Sequence, residues 1–387
     1  CGKTSTKEMV AAVLQVAYPD AVLSTQGNTN NHFGVPRNLL RLTERHRVAV
    51  LEMGSNHPGE IAALARIAEP DLGLVSNIGP AHLEFFGDLA GVAEEKGDLL
   101  ALTSRDGIAI YPAEAPYREA LERKAGARRA LTFGTSMKSD VHVTYEGSAN
   151  GKTQALLRWP KTSCERRLQW GVGGEHQALN AAAAAAVGTA LGMSPDAVIE
   201  GLSRVVLPAM RMETRVSADG VHWINDAYNA NPLSVKAGIE WFAEVSVDAD
   251  ANGRVVILGD MLELGKGGPD AHRDLLAWVR GRLPGAILVL VGPAMSAAAA
   301  GQDILCFPDV SACRQALSRW RRPGVWFFLK ASRGVGLDTL VPEGAGVDVL
   351  SASAFRSRPH PAMFRVRSER DSIRWQHLPW SPSLVPV

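Results

Sequence analysis

The fold class of this chain is indicated most clearly by residues 48–76, whose sequence is VAVLEMGSNHPGEIAALARIAEPDLGLVS. It begins with VAVLEM, a short apolar run typical of a buried strand, and ends with DLGLVS, a second run of the same kind. The residues between these runs, 58–68, have the pattern of a helix with a proline near its first turn. A strand, a helix and a strand in succession predict parallel strands with helices on the faces of the sheet.

The alternation continues on both sides of this stretch. It predicts helices at 3–15, 89–102, 175–191 and 194–202, and a strand at 107–111. Residues 140–170 differ, because apolar and polar residues alternate there around the turn signal Ala149-Asn150-Gly151. That pattern predicts antiparallel hairpins.

A second α/β unit follows from about residue 208. Its predicted strands are 255–258, 286–291 and 325–329, and its predicted helices are 231–244, 269–282 and 310–320. We therefore predict two α/β domains, at 1–207 and 208–350. Residues 351–387 contain six Arg against two acidic residues and show no clear period, which predicts a disordered basic tail.

The composition excludes several classes of protein. A chain of 387 residues accommodates two or three domains, and a formal net charge of +1 provides no field that would attract nucleic acid or an anionic membrane. No apolar run is long enough to span a bilayer. The four cysteines form no CxxC pair, which favours free thiols in a reducing cytosol. We therefore predict a cytoplasmic protein without nucleic-acid or membrane partners.

The first five residues, Cys1-Gly2-Lys3-Thr4-Ser5, match the end of the phosphate-binding motif G-x-x-x-x-G-K-[ST] and lead into a predicted helix. Gly2 lets the backbone approach a phosphate, and the start of the helix offers unpaired N–H groups. Lys3 can neutralise phosphate charge, and the hydroxyl of Thr4 can reach Mg²⁺. Because the chain opens inside this motif, we expect it to be a fragment that lacks its N-terminal end.

Two further side chains are predicted to lie at the same edge of the sheet as this motif. Glu52 ends the first buried strand, where a carboxylate is costly unless it is paired or bound to a cation. His82 follows the next strand. A lone His is more often structural than a ligand, but its position beside Glu52 and the phosphate motif favours a site for Mg²⁺, which prefers oxygen ligands.

Several segments together resemble the Mur ligases, and among them the MurF branch, from residue 1 to about residue 345. These segments are GKTSTKEM (2–9), GNTNNHFGVPRNLL (27–40), LEMGSNHPGEI (51–61), NIGPAHLEFFG (77–87), EEKGDLL (94–100), GEHQALNAAAAA (174–185), RMETR (211–215), NDAYNANPLS (225–234), LGDMLELG (258–265) and KASRGVGLD (330–338). The resemblance implies a central P-loop, parallel-sheet ATPase domain at 1–207 followed by a Rossmann-like C-terminal domain at 208–350.

The resemblance also implies an activity. Members of the MurF branch are cytoplasmic, ADP-forming ligases that use ATP and Mg²⁺ in peptidoglycan precursor synthesis. The carboxylate of UDP-N-acetylmuramoyl-tripeptide is phosphorylated to an acyl phosphate, which the amine of D-alanyl-D-alanine then attacks. We expect these two substrates as partners, and a monomer.

The resemblance assigns a role to each matching residue. The implied catalytic residues are Lys3, Lys96, His82 and Arg211, and the implied ATP-binding residues are Gly2, Lys3, Thr4, Ser5, Asn180, Arg211 and Asp226. The implied metal ligands are Thr4, Glu52, His82 and Lys96, the last as a carbamylated lysine. The implied substrate-binding residues are Asn28, Asn30, Asn31, Tyr228, Asn229, Asn231, Lys330, Ser332 and Arg333.

The sequence departs from the family pattern at two positions and leaves alternatives open. Gln177 stands where Asn is usual, which bears on nucleotide contacts, and Ala331 replaces the usual Gly of the last motif. We expect the uridine-binding domain of the family to lie outside this sequence. One alternative is a sister ligase of the Mur or folylpolyglutamate type, against which GNTNNHFGVP and NDAYNANPLS argue. Another is a non-catalytic nucleotide-binding remnant, against which the retained motif residues argue.

Overall fold

The computed structural model describes residues 2–80, 82–149, 152–247, 249, 253–347 and 383–386. They form two α/β units, each built around its own strands, which confirms the predicted fold class. Within these ranges no helix combines the length and the apolar character that a membrane span requires.

The first unit contains the phosphate motif and the edge of the sheet beside it. Its helices are α1 (Lys3–Ala17), α2 (Gly34–Leu39), α3 (Glu60–Ala68), α4 (Leu83–Phe86), α5 (Leu89–Ala101), α6 (Arg118–Ala125), α7 (Glu175–Ala190) and α8 (Pro195–Ser203). Its strands are β1 (Val22–Ser24), β2 (Val48–Leu51), β3 (Leu72–Leu74), β4 (Ile108–Pro112), β5 (Arg129–Gly134), β6 (Val141–Ala149), β7 (Lys152–Trp159) and β8 (Cys164–Trp170).

Strand pairing in this unit follows the sequence pattern only in part, because β2 and β3 belong to different sheets and the two strands of the stretch at 48–76 therefore do not pair with each other. β1 pairs parallel to β2, and β3, β4, β5 and β6 pair parallel to one another in that order. β6, β7 and β8 are antiparallel, which confirms the predicted hairpins, although residues 150 and 151 of the predicted turn lie outside the described residues.

Helix α7 packs against α1 and holds it in place within the first unit. The run Ala181–Ala186 is completely buried, and α7 packs closely against α1. Alanine is the side chain that permits such close approach on every face of a helix while keeping high helix propensity. The alanine-rich sequence is therefore a core feature that fixes the start of α1 in space.

The second unit is a mostly parallel sheet with helices on both faces. Its strands are β9 (Glu213–Val216), β10 (His222–Asn225), β11 (Arg254–Gly259), β12 (Ile287–Val291), β13 (Leu305–Phe307), β14 (Trp326–Lys330) and β15 (Gly346–Val347). Its helices are α9 (Pro232–Val245), α10 (Gly268–Arg282), α11 (Pro293–Ala298) and α12 (Val310–Ala316). The strand order is β13-β12-β11-β14-β10-β9-β15, parallel from β13 to β10 and antiparallel at β9 and β15.

The structure corrects some predicted elements. The predicted helix 310–320 divides into α12 and a 3₁₀ turn over Leu317–Trp320. Ser383–Pro386 forms a strand, β16, that pairs parallel with β2 and buries Val385, so the prediction of a structureless tail is wrong for these four residues. The rest of the predicted tail lies outside the described residues.

A polar contact joins the two units beside the β6–β7 hairpin. The Tyr145 hydroxyl donates to Glu244 Oε2 of α9 at 2.7 Å, and the Ser148 amide donates to the same carboxylate. Trp241 Nε1 donates to Ser148 Oγ at 3.0 Å. The Trp241 ring also lies against Gly173, where a Cβ would be 2.1 Å from Trp241 Cε2. Glycine at position 173 therefore makes room for an aromatic side chain of the other unit.

We predict that Gly173→Ala lowers the free energy of unfolding by about 1–3 kcal/mol, because the added methyl group must displace the Trp241 ring. Urea unfolding followed by tryptophan fluorescence measures this change. Gly281→Ala is the matched control, since nothing lies within 4 Å of a Cβ at that helical position. Equal stability of the two variants would contradict the packing described at Gly173.

Candidate active site

The phosphate motif is supported from behind by α7. Gly2 precedes α1 with a φ of 87°, and a Cβ there would be 2.6 Å from Asn180 Oδ1. The same oxygen accepts a hydrogen bond from Thr6 Oγ1 at 3.2 Å, while Asn180 Nδ2 donates to Gln177 Oε1 at 2.8 Å. Asn180, an expected ATP-binding residue, thus packs against the start of α1, and Gln177 orients it. Ser5 of the motif is buried as well.

Arg211 connects the second unit to this motif. Its Nη2 donates to Thr4 Oγ1 at 2.8 Å, and its guanidinium lies 4.0 Å from the centre of the Tyr228 ring. The residues on either side, Met210 and Met212, have positive φ values of 63° and 53°. Non-glycine residues rarely adopt this conformation, so the backbone is strained where it aims Arg211 at Thr4.

Glu52 has the surroundings of a cation ligand. It is buried, and its Oε1 accepts from Asn30 Nδ2 at 2.8 Å. Its Oε2 is buried without a hydrogen-bond partner among the described residues. A buried carboxylate oxygen without a partner carries a desolvation cost that a bound cation would remove. The donor chemistry at this position therefore fits Mg²⁺.

Lys3, His82 and Lys96 line one small cavity of about 60 Å³. Lys96 Nζ donates to the carbonyl of Asn77 at 2.9 Å. Burial, together with the nearby charge of Lys3, lowers the pKa of Lys96 to about 7. Burial also lowers the pKa of His82, and the charges of Lys3 and Lys96 add to this effect while Glu263 opposes it. The cavity therefore raises the neutral fraction of the Lys96 amine and of the His82 imidazole at neutral pH.

The protein side chains alone do not complete a metal site. Across the described residues, no three His, Cys, Asp or Glu side chains converge on a position that could hold a metal ion. Glu52 and the Thr4 hydroxyl would have to be supplemented by oxygens from phosphate groups, water or a carbamate on Lys96. Such incomplete protein ligation is usual for Mg²⁺ in nucleotide sites.

Sequence reasoning missed Glu95, the neighbour of Lys96. Glu95 is buried, and its carboxylate accepts from the amides of Gly59 at 2.7 Å and Ile61 at 2.8 Å. A carboxylate at the start of α3 is stabilised by the unpaired N–H groups there. Glu95 therefore ties α5 to α3 and fixes the backbone that carries Lys96. Only its adjacency to Lys96 could have suggested it.

The asparagine-rich loop before α2 is held largely by its own side chains. Asn30 contacts Glu52, and Asn31 Oδ1 accepts from the amides of Phe33 and Gly34 at 3.2 and 3.0 Å. A Cβ at Gly34 would be 2.3 Å from the backbone of Thr29, so the tight turn requires glycine there. Asn28 is exposed. Of the three expected substrate contacts, Asn31 is exposed like Asn28, whereas Asn30 is half-buried.

Lys330 has partners within the second unit. Its Nζ is buried, donates to the side chain of Asp226 and donates to the carbonyl of Asn229 at 2.9 Å. Asp226 Oδ1 also accepts from the Met212 amide at 3.1 Å. This ion pair stabilises the backbone beside Arg211, and substrate binding by Lys330 stays a prediction.

Four other expected substrate-binding residues remain in the last two motifs. Two of them accept hydrogen bonds from backbone amides, and two are exposed. Asn231 caps α9 through the Ser234 amide at 2.9 Å, and Asn229 is exposed. Ser332 Oγ accepts from the Leu262 amide at 2.9 Å, whereas Arg333 is exposed next to Asp338.

The departure at Ala331 leaves the last motif intact. Its methyl group is completely buried opposite Gly259, where a Cβ would be 2.7 Å away. The absence of a side chain at Gly259 therefore gives Ala331 the space it needs.

Two domain families match this chain. The Mur ligase middle domain matches residues 1–188, and the Mur ligase, glutamate ligase domain matches residues 210–333. These ranges contain the phosphate motif, the Lys96 cavity and Arg211. The chain therefore belongs to the Mur ligase family.

Individual relatives narrow this class. UDP-N-acetylmuramoyl-tripeptide–D-alanyl-D-alanine ligase of Mycobacterium bovis is 33% identical over 376 residues, which cover 91% of this chain and 71% of that relative. The Bacillus subtilis ligase of the same name is 35% identical over 274 residues, covering 70% of this chain and 57% of the relative. The chain belongs to the family of UDP-N-acetylmuramoyl-tripeptide–D-alanyl-D-alanine ligases, the MurF branch, although it matches less than two thirds of the length of the Bacillus protein.

A solved structure supports the same family. MurF from Thermotoga maritima, in complex with ADP, superimposes with a TM-score of 0.76 at 28% identity. The match covers 88% of this chain and 76% of the Thermotoga chain. Both α/β units are therefore shared with a protein that was solved with a nucleotide bound.

We predict that Lys96 in its unmodified form titrates near pH 7 and that Lys3→Gln raises this pKa, because one of its two causes is removed. Protein with isotope-labelled lysine side chains, titrated by NMR in carbonate-free buffer, measures both values. Lys161→Gln is the control, since Lys161 pairs with Asp140 and is largely exposed. A Lys96 pKa near 10 in the parent protein would contradict the environment described here.

Proposed function

We propose that the protein carrying this chain is an ATP-dependent amide-bond ligase that joins D-alanyl-D-alanine to UDP-N-acetylmuramoyl-tripeptide in the cytoplasm, as a monomer. The observation that carries the proposal is the hydrogen bond from Arg211 of the second unit to Thr4 of the phosphate motif. It brings a cation from one unit to the phosphate site of the other. The names of the relatives supply the two substrates, and the ADP complex of the Thermotoga protein supports ATP as the phosphate donor.

The proposed reaction has two steps. A carboxylate oxygen of the tripeptide attacks the γ-phosphorus of ATP, the bond to the ADP oxygen breaks, and an acyl phosphate forms. The amine nitrogen then attacks the acyl carbon, and inorganic phosphate leaves. Both steps concentrate negative charge, which Lys3 and Arg211 would stabilise by preorganised hydrogen bonds. Mg²⁺ held by Glu52 and Thr4 would supply further positive charge.

Carbamylation of Lys96 is part of the proposal. Only the neutral amine of lysine can add to carbon dioxide, and a pKa of about 7 leaves a large neutral fraction at physiological pH. The carbamate would replace a cation by an anion beside His82 and Lys3. This change of sign supports a role for Lys96 in metal binding that an ordinary lysine could not have.

The test of the proposed function is phosphate release from ATP by the complete gene product that contains this chain. The tripeptide substrate and D-alanyl-D-alanine are supplied singly and together, and the product is identified by mass. We expect full turnover only with both substrates. A preference for another amine would favour a sister ligase, and absence of release would favour a non-catalytic nucleotide-binding protein.

We predict that Lys3→Gln lowers kcat by at least about 100-fold, the usual effect of removing a donor that stabilises transition-state charge. Lys96→Ala should lower kcat similarly, and acetate or propionate should restore part of the lost rate if a carbamate is the active form. Lys161→Ala is the control for rescue, because its removal should leave the rate unchanged in either buffer. Near-normal rates for Lys96→Ala would contradict the assigned role.

A further inference from the structure

The loop at residues 260–264 lies between β11 and α10 of the second unit, and two hydrogen bonds to buried side chains anchor its backbone. The Met261 amide donates to His272 Nε2 at 3.0 Å, and the Leu262 amide donates to Ser332 Oγ at 2.9 Å. His272 and Ser332 are both buried. We call residues 260–264 the Glu263 loop, because these two anchors fix the backbone that leads to Glu263.

Glu263 adopts a conformation that its side chain alone would not favour. Its φ is 64°, in the left-handed region where non-glycine residues are uncommon. The neighbouring Gly265 also has a positive φ, of 58°, but glycine tolerates it without strain. Strain retained at a non-glycine residue whose loop is firmly anchored suggests that the direction of its side chain matters for function.

The Glu263 carboxylate of the second unit lies close to His82 of the first unit. Its Oε2 lies 3.6 Å from His82 Nδ1, and the side chain is 69% exposed. Lys3 and Lys96 line the same cavity as His82. Among the described residues, no Lys or Arg side chain within ion-pair distance of Glu263 is seen. An accessible carboxylate therefore faces a cavity whose other charges are largely positive.

We propose that Glu263 binds the amino group of the incoming amine substrate and directs it toward the acyl phosphate, with Ser332 and His272 as positioning residues. The proposal rests on the proposed ligase function. A free amine enters mainly as an ammonium ion, which Lys3 and Arg211 repel. A carboxylate on the second unit offers it attraction and a hydrogen-bond acceptor. The ammonium releases a proton to water before its nitrogen forms the C–N bond and phosphate departs.

The structure contains a competing assignment for Glu263. The carboxylate is near His82, so it could instead be a ligand of the metal that Glu52 fits. A metal ligand is required before the acyl phosphate forms, whereas an ammonium-binding group is required only afterwards. The two assignments therefore predict different effects on the first half of the reaction.

Glu263→Gln in the complete gene product separates them, because the side chain keeps its shape and loses its charge. Two activities are measured with ATP and the tripeptide substrate. One is ligation of D-alanyl-D-alanine. The other is trapping of the acyl phosphate by hydroxylamine, a nucleophile that is largely uncharged at neutral pH. We expect KM for the dipeptide to rise about 10- to 100-fold, the usual effect of removing one partner of a charge pair, with hydroxamate formation close to that of the parent.

Any other result for Glu263→Gln or for the parent protein would contradict the assignment of Glu263. If both activities of Glu263→Gln fall together, Glu263 acts before the amine arrives and the ammonium assignment is wrong. If neither changes, Glu263 has no role in amine binding. If the parent protein itself forms no hydroxamate, the proposed ligase function fails, and the assignment of Glu263 fails with it. Glu84→Gln is the matched control, since it removes an exposed carboxylate close to Gly265 and should leave both activities unchanged.

The positioning role of Ser332 has a separate test. Ser332→Ala removes the acceptor of the Leu262 amide and should raise KM for the dipeptide while leaving the trapping rate intact. Ser332→Thr keeps a hydroxyl group and should restore most of the affinity. A fall of both activities in Ser332→Ala, or no rescue by Thr, would indicate a general structural role and contradict positioning.

Discussion

The hydrogen bond from Arg211 to Thr4 is the interaction on which the candidate site depends. Thr4 belongs to the phosphate motif, and Arg211 belongs to the linker that enters the second unit. Their contact brings together groups from both units that neither unit could supply alone. Met210 and Met212, the residues on either side of Arg211, have positive φ values, so the backbone is strained at the position that makes this contact. Stacking on Tyr228 and the Lys330–Asp226 pair then hold the linker in place.

Charge distribution follows from the same arrangement. Lys3 and Arg211 supply positive charge around the phosphate site, and burial together with the charge of Lys3 lowers the pKa of Lys96 to about 7. Two carboxylates oppose this charge from different directions. Glu52 follows β2 of the first unit and is buried, whereas Glu263 belongs to the second unit and is exposed. Their different exposure suits a fixed cation in one case and an arriving one in the other.

The sequence predicts the long elements of the fold well, because their periodic patterns are strong. The helix at 3–15 and the hairpins of 140–170 are present, whereas β1, β9 and β13 have three or four residues each and too little pattern to be recognised. Residue types also predict which motifs meet at the cleft, but they do not predict where side chains point. Asn180 and Lys330 are expected to face ligands, but both are buried and hydrogen-bonded to other protein groups. Glu95 and Glu263 carry no local signal, since their importance arises from contacts with distant segments.

A double-mutant cycle between Thr4 and Arg211 measures whether these two hydrogen-bonded residues act together in catalysis. Thr4→Val, Arg211→Ala and the double variant are compared with the parent protein by kcat/KM for ATP in the complete gene product. We expect strong non-additivity, with a coupling free energy of at least about 1 kcal/mol, because the two residues act together between the two units. Additive effects within about 0.5 kcal/mol would show that the two side chains act independently and would contradict the account.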